Sequence, residues 1–222
     1  MGKNLDITAS DGHVLAAYLA TPEGKPRGGL VVIQEAFGVT AYVRSVCDAY
    51  AKDGYASIAP ALYDRQRRDA AFDDAEAPEA LAEARRLRAA LEWPKVMFDV
   101  QAAIDAVRIT GRVGIVGYCA GGSVAWLAAL SLPVAAASCY YGRDVVNFLD
   151  RAPKCPTILH FGAYDHLIAP ADVERIRAAR PDVPNYVYPA GHGFDGAGER
   201  HHEASARLAR ERTLELFRRH VG

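Results

Sequence analysis

Residues 112–126, Arg-Val-Gly-Ile-Val-Gly-Tyr-Cys-Ala-Gly-Gly-Ser-Val-Ala-Trp, constrain the fold of this chain more than any other stretch. The apolar run Val113–Val116 has the length and composition of a buried strand. It breaks at Gly117, and small apolar residues suited to a helix run from Ala120 to Leu130. Strand, very tight turn and helix therefore meet around Cys119. Gly117, Gly121 and Gly122 remove the side chains that would clash in so sharp a bend. Cys119 is pushed outward at the tip, over a helix N-terminus. Such an end favours a thiolate and offers backbone N–H groups to a developing oxyanion. A plain strand-to-helix turn with a buried structural cysteine fits the same fifteen letters, so the remainder of the chain has to decide.

Strands and helices alternate on both sides of this turn. Asp6–Thr8 and His13–Leu19 flank Ser10-Asp11-Gly12 and predict an antiparallel hairpin. Leu30–Gln34 and Tyr55–Ala59 read as fully buried strands with a helix over 40–53 between them. Residues 65–79 are polar and irregular; Ala80–Leu91 and Val96–Ile109 have helical composition and spacing, divided near Pro94. Beyond the turn, strands over 134–141, 157–161 and 186–188 alternate with a helix over 172–179, and a long helix over about 201–220 ends the chain. The alternation predicts an α/β protein, its sheet mostly parallel and covered by helices on both faces. No repeat or linker interrupts it, so residues 1–222 are expected to form one domain.

Charge and cysteine usage exclude several classes of function. Lys and Arg total 26 against 27 Asp and Glu, which leaves no field directed at nucleic acid or an anionic membrane. No apolar stretch approaches the roughly 20 residues of a membrane span. Cys47, Cys119, Cys139 and Cys155 lack metal-type spacing. Without a signal-peptide core near Met1, reduced thiols, a cytoplasmic location and no bound metal are expected.

A thiol nucleophile needs a base to take its proton and a third group to orient that base. Asp165 follows the strand over 157–161, and His192 lies in Ala190-Gly191-His192-Gly193-Phe194 after the last strand. Cysteine, acid and histidine thus occur in the order of the α/β-hydrolase nucleophile-elbow arrangement. Taken singly, Asp165 could cap a helix and His192 could be an exposed loop residue. His166 is expected to face away from His192, and His201 and His202, adjacent at a helix start, are read as surface residues. Glu35, a carboxylate straight after a buried strand, is costly there unless paired or used; a salt bridge to Arg44 is the plainer reading. The backbone N–H groups of Ala36 and Ala120 occupy the positions that supply an oxyanion hole in that arrangement.

With these residues in view, the chain resembles the dienelactone hydrolase (carboxymethylenebutenolidase) family. The likeness rests on Glu35-Ala-Phe-Gly-Val, Leu62-Tyr63-Asp-Arg65-Gln66, Gly114-Ile-Val-Gly-Tyr-Cys119-Ala-Gly-Gly, Asp165-His166 and Ala190-Gly-His192-Gly-Phe194, and extends to Asp11-Gly12-His13 and Glu211-Arg-Thr-Leu. It implies an eight-stranded α/β-hydrolase fold without a large cap. It further implies a Cys119-His192-Asp165 triad, with Glu35 taking the thiol proton when substrate binds. An enol-lactone would open through a thioester, with no cofactor and a small-molecule substrate as the only required partner, in a monomer or small homo-oligomer. Phe37, Tyr63, Tyr141, Gly193 and Phe194 are the pocket residues that position and resemblance nominate.

The chain departs from the family at the two arginines that read the substrate's carboxylate. The first aligns near Leu81, with Arg85, Arg86 and Arg88 close by; Arg85 and Arg88 are taken as candidate substrate ligands. The second aligns at Gly196, beside Asp195, whose charge opposes an anion. An esterase or lactonase for neutral substrates therefore stands beside the enol-lactone reading. From a different class, a non-catalytic ligand-binding protein or a thiol redox sensor on the same fold remains open.

Overall fold

A computed structural model describes residues 2–74 and 77–222. Eight strands form one sheet in the order β1-β2-β4-β3-β5-β6-β7-β8. They are β1 (Lys3–Thr8), β2 (Val14–Ala20), β3 (Gly29–Ile33), β4 (Ala56–Pro60), β5 (Val113–Tyr118), β6 (Ala136–Tyr140), β7 (Thr157–Gly162) and β8 (Asn185–Tyr188). β1 and β2 form the expected hairpin, and β2 is antiparallel to β4; all other pairs are parallel. The division follows composition: β3, β4, β5, β6 and β7 are buried at every residue, whereas β1 exposes alternate positions.

Among the described residues there are six α-helices: α1 (Ala41–Lys52), α2 (Pro78–Ala89), α3 (Trp93–Val107), α4 (Ala120–Ser131), α5 (Pro170–Ala179) and α6 (Glu203–His220); Leu87 of α2 packs in a small separate cluster with Tyr63 and Ala70. α1 and α6 share one face, joined by the Arg210–Asp53 ion pair and an edge-to-face contact of Tyr50 with Phe217. α3 and α4 pack together on the other face. The helices flanking Pro94 are divided as the sequence predicts, but Pro94 lies in the first turn of α3, where its missing N–H costs nothing. Among the described residues no helix is long and apolar enough to cross a membrane.

α4 is buried on all sides from Ala120 to Leu130. Its small residues let it approach the sheet closely enough to leave no room for more. A Cβ on Gly117 would lie 1.9 Å from the Gly121 carbonyl oxygen, and one on Gly122 would lie 2.3 Å from that of Tyr140. Cys119, between them, is held at φ 55° and ψ −115°. A non-glycine residue there stores on the order of 1–3 kcal/mol of strain, sustained by the surrounding packing.

Candidate active site

The connections after β3, β5, β6, β7 and β8 converge at the carboxyl edge of the parallel strands, where open α/β sheets collect their ligands. They enclose a cavity of about 810 Å3 lined in part by Glu35, Ala36, Phe37, Cys119, Ala120 and His192. A smaller cavity of about 360 Å3 borders β1, β2 and the Asp69–Ala71 backbone and contains none of these residues.

Cys119 leaves β5 at the tip of the turn, half-buried at the cavity wall. Its Sγ is 3.1 Å from His192 Nε2, and His192 Nδ1 donates to Asp165 Oδ2 at 2.7 Å. The other carboxylate oxygen of Asp165 accepts the backbone N–H groups of Leu167 at 2.8 Å and Ile168 at 3.2 Å. These bonds fix the carboxylate plane and so the imidazole. Asp165 is not the cap of α5, whose N-cap is Ala169, and His192 is buried rather than an exposed loop residue. Burial opposes a charge on His192. The hydrogen bonds and negative charges of Asp165 and Cys119 more than offset this and raise its pKa to about 9. The arrangement can therefore hold a proton on the imidazole beside a nucleophilic sulfur.

Glu35 follows β3 and is only 5% exposed. Its Oε1 has no hydrogen-bond partner among the described residues. Burial raises its carboxyl pKa; the positive charges of Arg200 and His192 counteract this in part. Arg44 is not its partner, because that side chain bonds Asn4 Oδ1 and the Val39 carbonyl. The adjoining loop is braced from below. Tyr63 Oη donates to the Ala36 carbonyl at 2.8 Å, and Gln34 Oε1 accepts the Leu62 N–H at 3.0 Å. Ala120, the first residue of α4, carries a backbone N–H with no acceptor inside its helix.

Of the other expected pocket residues, Phe37, Arg85 and Arg88 line the cavity, whereas Tyr63, Tyr141, Gly193 and Phe194 do not. Tyr63 is buried beneath the Ala36 loop. Tyr141 adopts φ 38° at the end of β6, and its ring packs 5.0 Å from that of His192. Phe194 packs edge-to-face behind it, 5.3 Å from Tyr141. These two rings form the wall that holds the imidazole rather than a surface open to ligand. His166 faces the cavity after all, edge-on to His192 at 6.3 Å. Leu167 makes its backbone N–H bond to Asp165 from the same turn, which carries both neighbours to the rim.

The arginine positions also differ from expectation. Asp195 does not line the cavity; its carboxylate accepts a hydrogen bond from Tyr42 Oη at 2.9 Å. A Cβ on Gly196 would lie 3.8 Å from Glu35 Oε1 and 4.0 Å from Arg200 Nη2. Arg200 thus brings a guanidinium next to the space that a side chain at position 196 would fill. Arg200 also stacks over Phe37 at 5.9 Å and lines the cavity. Sequence reading missed Arg200 and Arg143, another lining residue. The sole cue to either was a basic residue in a glycine-containing connection after a strand.

Residues 15–221 match the model of the dienelactone hydrolase family. A carboxymethylenebutenolidase of Pseudomonas putida is 33% identical over 97% of this chain and 95% of that protein. Carboxymethylenebutenolidase 1 of Cupriavidus pinatubonensis is 29% identical over 98% of this chain and 97% of its own. A solved structure from Klebsiella pneumoniae, provisionally assigned as a dienelactone hydrolase, superposes with a TM-score of 0.84 at 27% identity, covering 99% of this chain and 100% of that one. Eight strands in this order, helices on both faces and likeness over nearly the full length agree: the chain has the α/β-hydrolase fold and is a hydrolase belonging to the dienelactone hydrolase family.

Proposed function

We propose that this chain opens an enol-lactone or comparably activated ester through a thioester on Cys119. The observation that carries the reading is the continuous hydrogen-bonded line from Asp165 through His192 to Cys119 at the cavity wall. Sγ attacks the acyl carbon, and the Ala36 and Ala120 N–H groups receive the developing oxyanion. The carbon–oxygen bond breaks, and the departing oxygen takes the proton held on His192. Water then attacks the thioester, giving its proton to His192 as the sulfur leaves, which restores the starting state. A thiolate is itself easily expelled from a tetrahedral intermediate, so attack is productive when the other leaving group is good. An enolate meets that condition.

Before attack Glu35 accepts the thiol proton, which is separate from the one held on His192, and it returns that proton to the sulfur once the thioester has been hydrolysed. A carboxyl whose pKa is raised by burial is a stronger base than an exposed one, and its free Oε1 is available to receive the proton. Arg200 and Arg85 hold the substrate's carboxylate. The carboxymethylenebutenolidase relatives support an anionic lactone as substrate, and Arg200 beside Glu35 restores the cation that Gly196 omits.

Loss of dienelactone absorbance on adding purified protein tests the reading. Cys119→Ala should lower kcat by at least 1000-fold while its circular dichroism stays native. Turnover that persists in the folded variant would overturn the mechanism. Turnover by the wild type of neutral lactones but not of dienelactone would favour the neutral-substrate reading.

A further inference from the structure

Among the described residues four arginines, Arg85, Arg88, Arg143 and Arg200, line the cavity together with the carboxylates of Glu35, Asp73 and Asp74, and two of the arginines stand on different sides of the thiol. Arg200 belongs to the connection after β8 and stacks on Phe37, which follows β3. Arg143 follows β6. β3 and β6 are the two strands that flank β5, so these guanidiniums reach the cavity from opposite flanks of Cys119. Arg143 is delivered by a backbone with little latitude. Gly142 passes so close to the start of α4 that a Cβ would lie 2.7 Å from the Gly122 carbonyl carbon and the Ser123 nitrogen.

The Arg143 side is a built cluster. Ser123 Oγ accepts the Asp144 backbone N–H at 3.0 Å. Asp144 Oδ2 is 2.5 Å from Arg88 Nη2, whereas its Oδ1 is 3.8 Å from Arg143 Nε, beyond hydrogen-bond length. One carboxylate therefore faces two guanidiniums, engages Arg88 closely and leaves Arg143 with donors for another anion. Both arginines line the cavity, whose volume suits a ligand considerably larger than a small monocyclic lactone.

The two flanks have different chemical meanings. Arg200 Nη1 is 3.4 Å from where a Cβ on Gly193 would stand, next to His192, the residue that protonates the leaving oxygen. Arg200 thus belongs to the leaving-group side and Arg143 to the acyl side. Building on the Cys119 mechanism above, we propose that Arg143, supported by Arg88 and Asp144, is a specificity-determining residue that binds an acidic group on the acyl portion of the substrate. The preferred substrates are then esters or lactones that carry an anion beyond the acyl carbon.

The test compares 4-nitrophenyl hydrogen adipate with 4-nitrophenyl hexanoate, acyl chains of equal length ending in carboxylate or methyl. At low salt the wild type should favour the adipate ester in kcat/KM. Arg143→Gln should lower the adipate-to-hexanoate ratio about tenfold, as expected for loss of one charge-assisted contact, while Arg200→Gln leaves that ratio in place. A ratio unmoved by Arg143→Gln overturns the inference, as does a wild type without preference. A readout independent of turnover is protection of Cys119 from iodoacetamide. Adipate should protect the wild type at concentrations about tenfold below hexanoate, and Arg143→Gln should remove the difference. Ester turnover unaffected by Cys119→Ala would overturn the mechanism instead, leaving the protection result to decide the Arg143 subsite.

Discussion

Glu35 shows how a single side chain can be kept where stability alone would remove it. Its carboxyl is buried after an all-apolar strand with one oxygen unpartnered, and burial raises its pKa above the ordinary 4.5. Folding therefore favours the protonated form. The stabilisation is fully present below about pH 4.5 and is lost as pH rises through the folded-state value, the reverse of a salt-bridged carboxylate. Glu35→Gln should be more stable than wild type at pH 8, with the gap closing toward pH 4.5; urea unfolding at the two values measures it. A variant equally stable at both would mean that the carboxyl is not strained by its site. That a carboxylate there must be paired or used was legible in the sequence; that Arg44 turns instead to Asn4 and the Val39 carbonyl was not. The side-chain direction of Tyr63 and Tyr141 was not legible. Each follows a strand end through an irregular turn, and in Tyr141 a φ of 38° redirects the ring beneath His192.

At the level of elements, α6 is fastened to the sheet by a buried polar network. Thr213 Oγ1 lies 2.8 Å from both Ser138 Oγ and Tyr140 Oη, and 3.3 Å from His160 Nε2. Arg212 Nη1 donates to Tyr188 Oη, whose own proton then goes to His160 Nδ1 at 2.8 Å. Burial lowers the His160 pKa to about 3, so the ring remains neutral and donates from Nε2. Thr213→Val removes the hub and leaves buried hydroxyls in β6 short of a partner. We expect a loss of about 1–3 kcal/mol in unfolding free energy, read by denaturant titration. A loss below about 0.5 kcal/mol would show that the remaining groups re-pair among themselves. Helical and strand patterning placed these elements correctly within a few residues because the core strands are short, mostly apolar runs bounded by turn residues. Nothing in periodicity could foretell that threonine, serine, tyrosine and histidine from four elements would meet, since such meetings depend on register between distant segments.

Across the whole molecule, the antiparallel hairpin is joined to the α/β body through Arg65. Its guanidinium contacts Asp11 in the hairpin turn at 2.8 Å and Asp99 in α3 at 2.7 Å, and the Asp99 side chain is entirely buried. Burial raises the Asp99 pKa even against the hydrogen bonds and charge of Arg65. Arg65→Leu strands that carboxylate and should cost about 3–5 kcal/mol near pH 7. The cost should shrink toward pH 4, where Asp99 can take up a proton. Thermal unfolding at both pH values tests this, and an equal loss at each would count against the buried carboxylate as its cause. Order of elements, parallel sheet and hairpin were readable from the chain, whereas this long-range tie was not. Arg65 is one charge among many in a polar segment, and only the folded geometry singles it out.

The Cys119 sulfur is seated on a rigid turn where three glycines forbid any added atom, whereas Arg85, Arg143 and Arg200 stand on separate connections outside the strands. Under the proposed function, chemistry and recognition are thereby carried by separable parts of the fold. A lineage can exchange the arginines one at a time, and drift from one acid to another or to neutral compounds, without disturbing the sulfur. For an engineer, the same separation marks where diversity belongs: in the loops, with residues 117–122 left untouched.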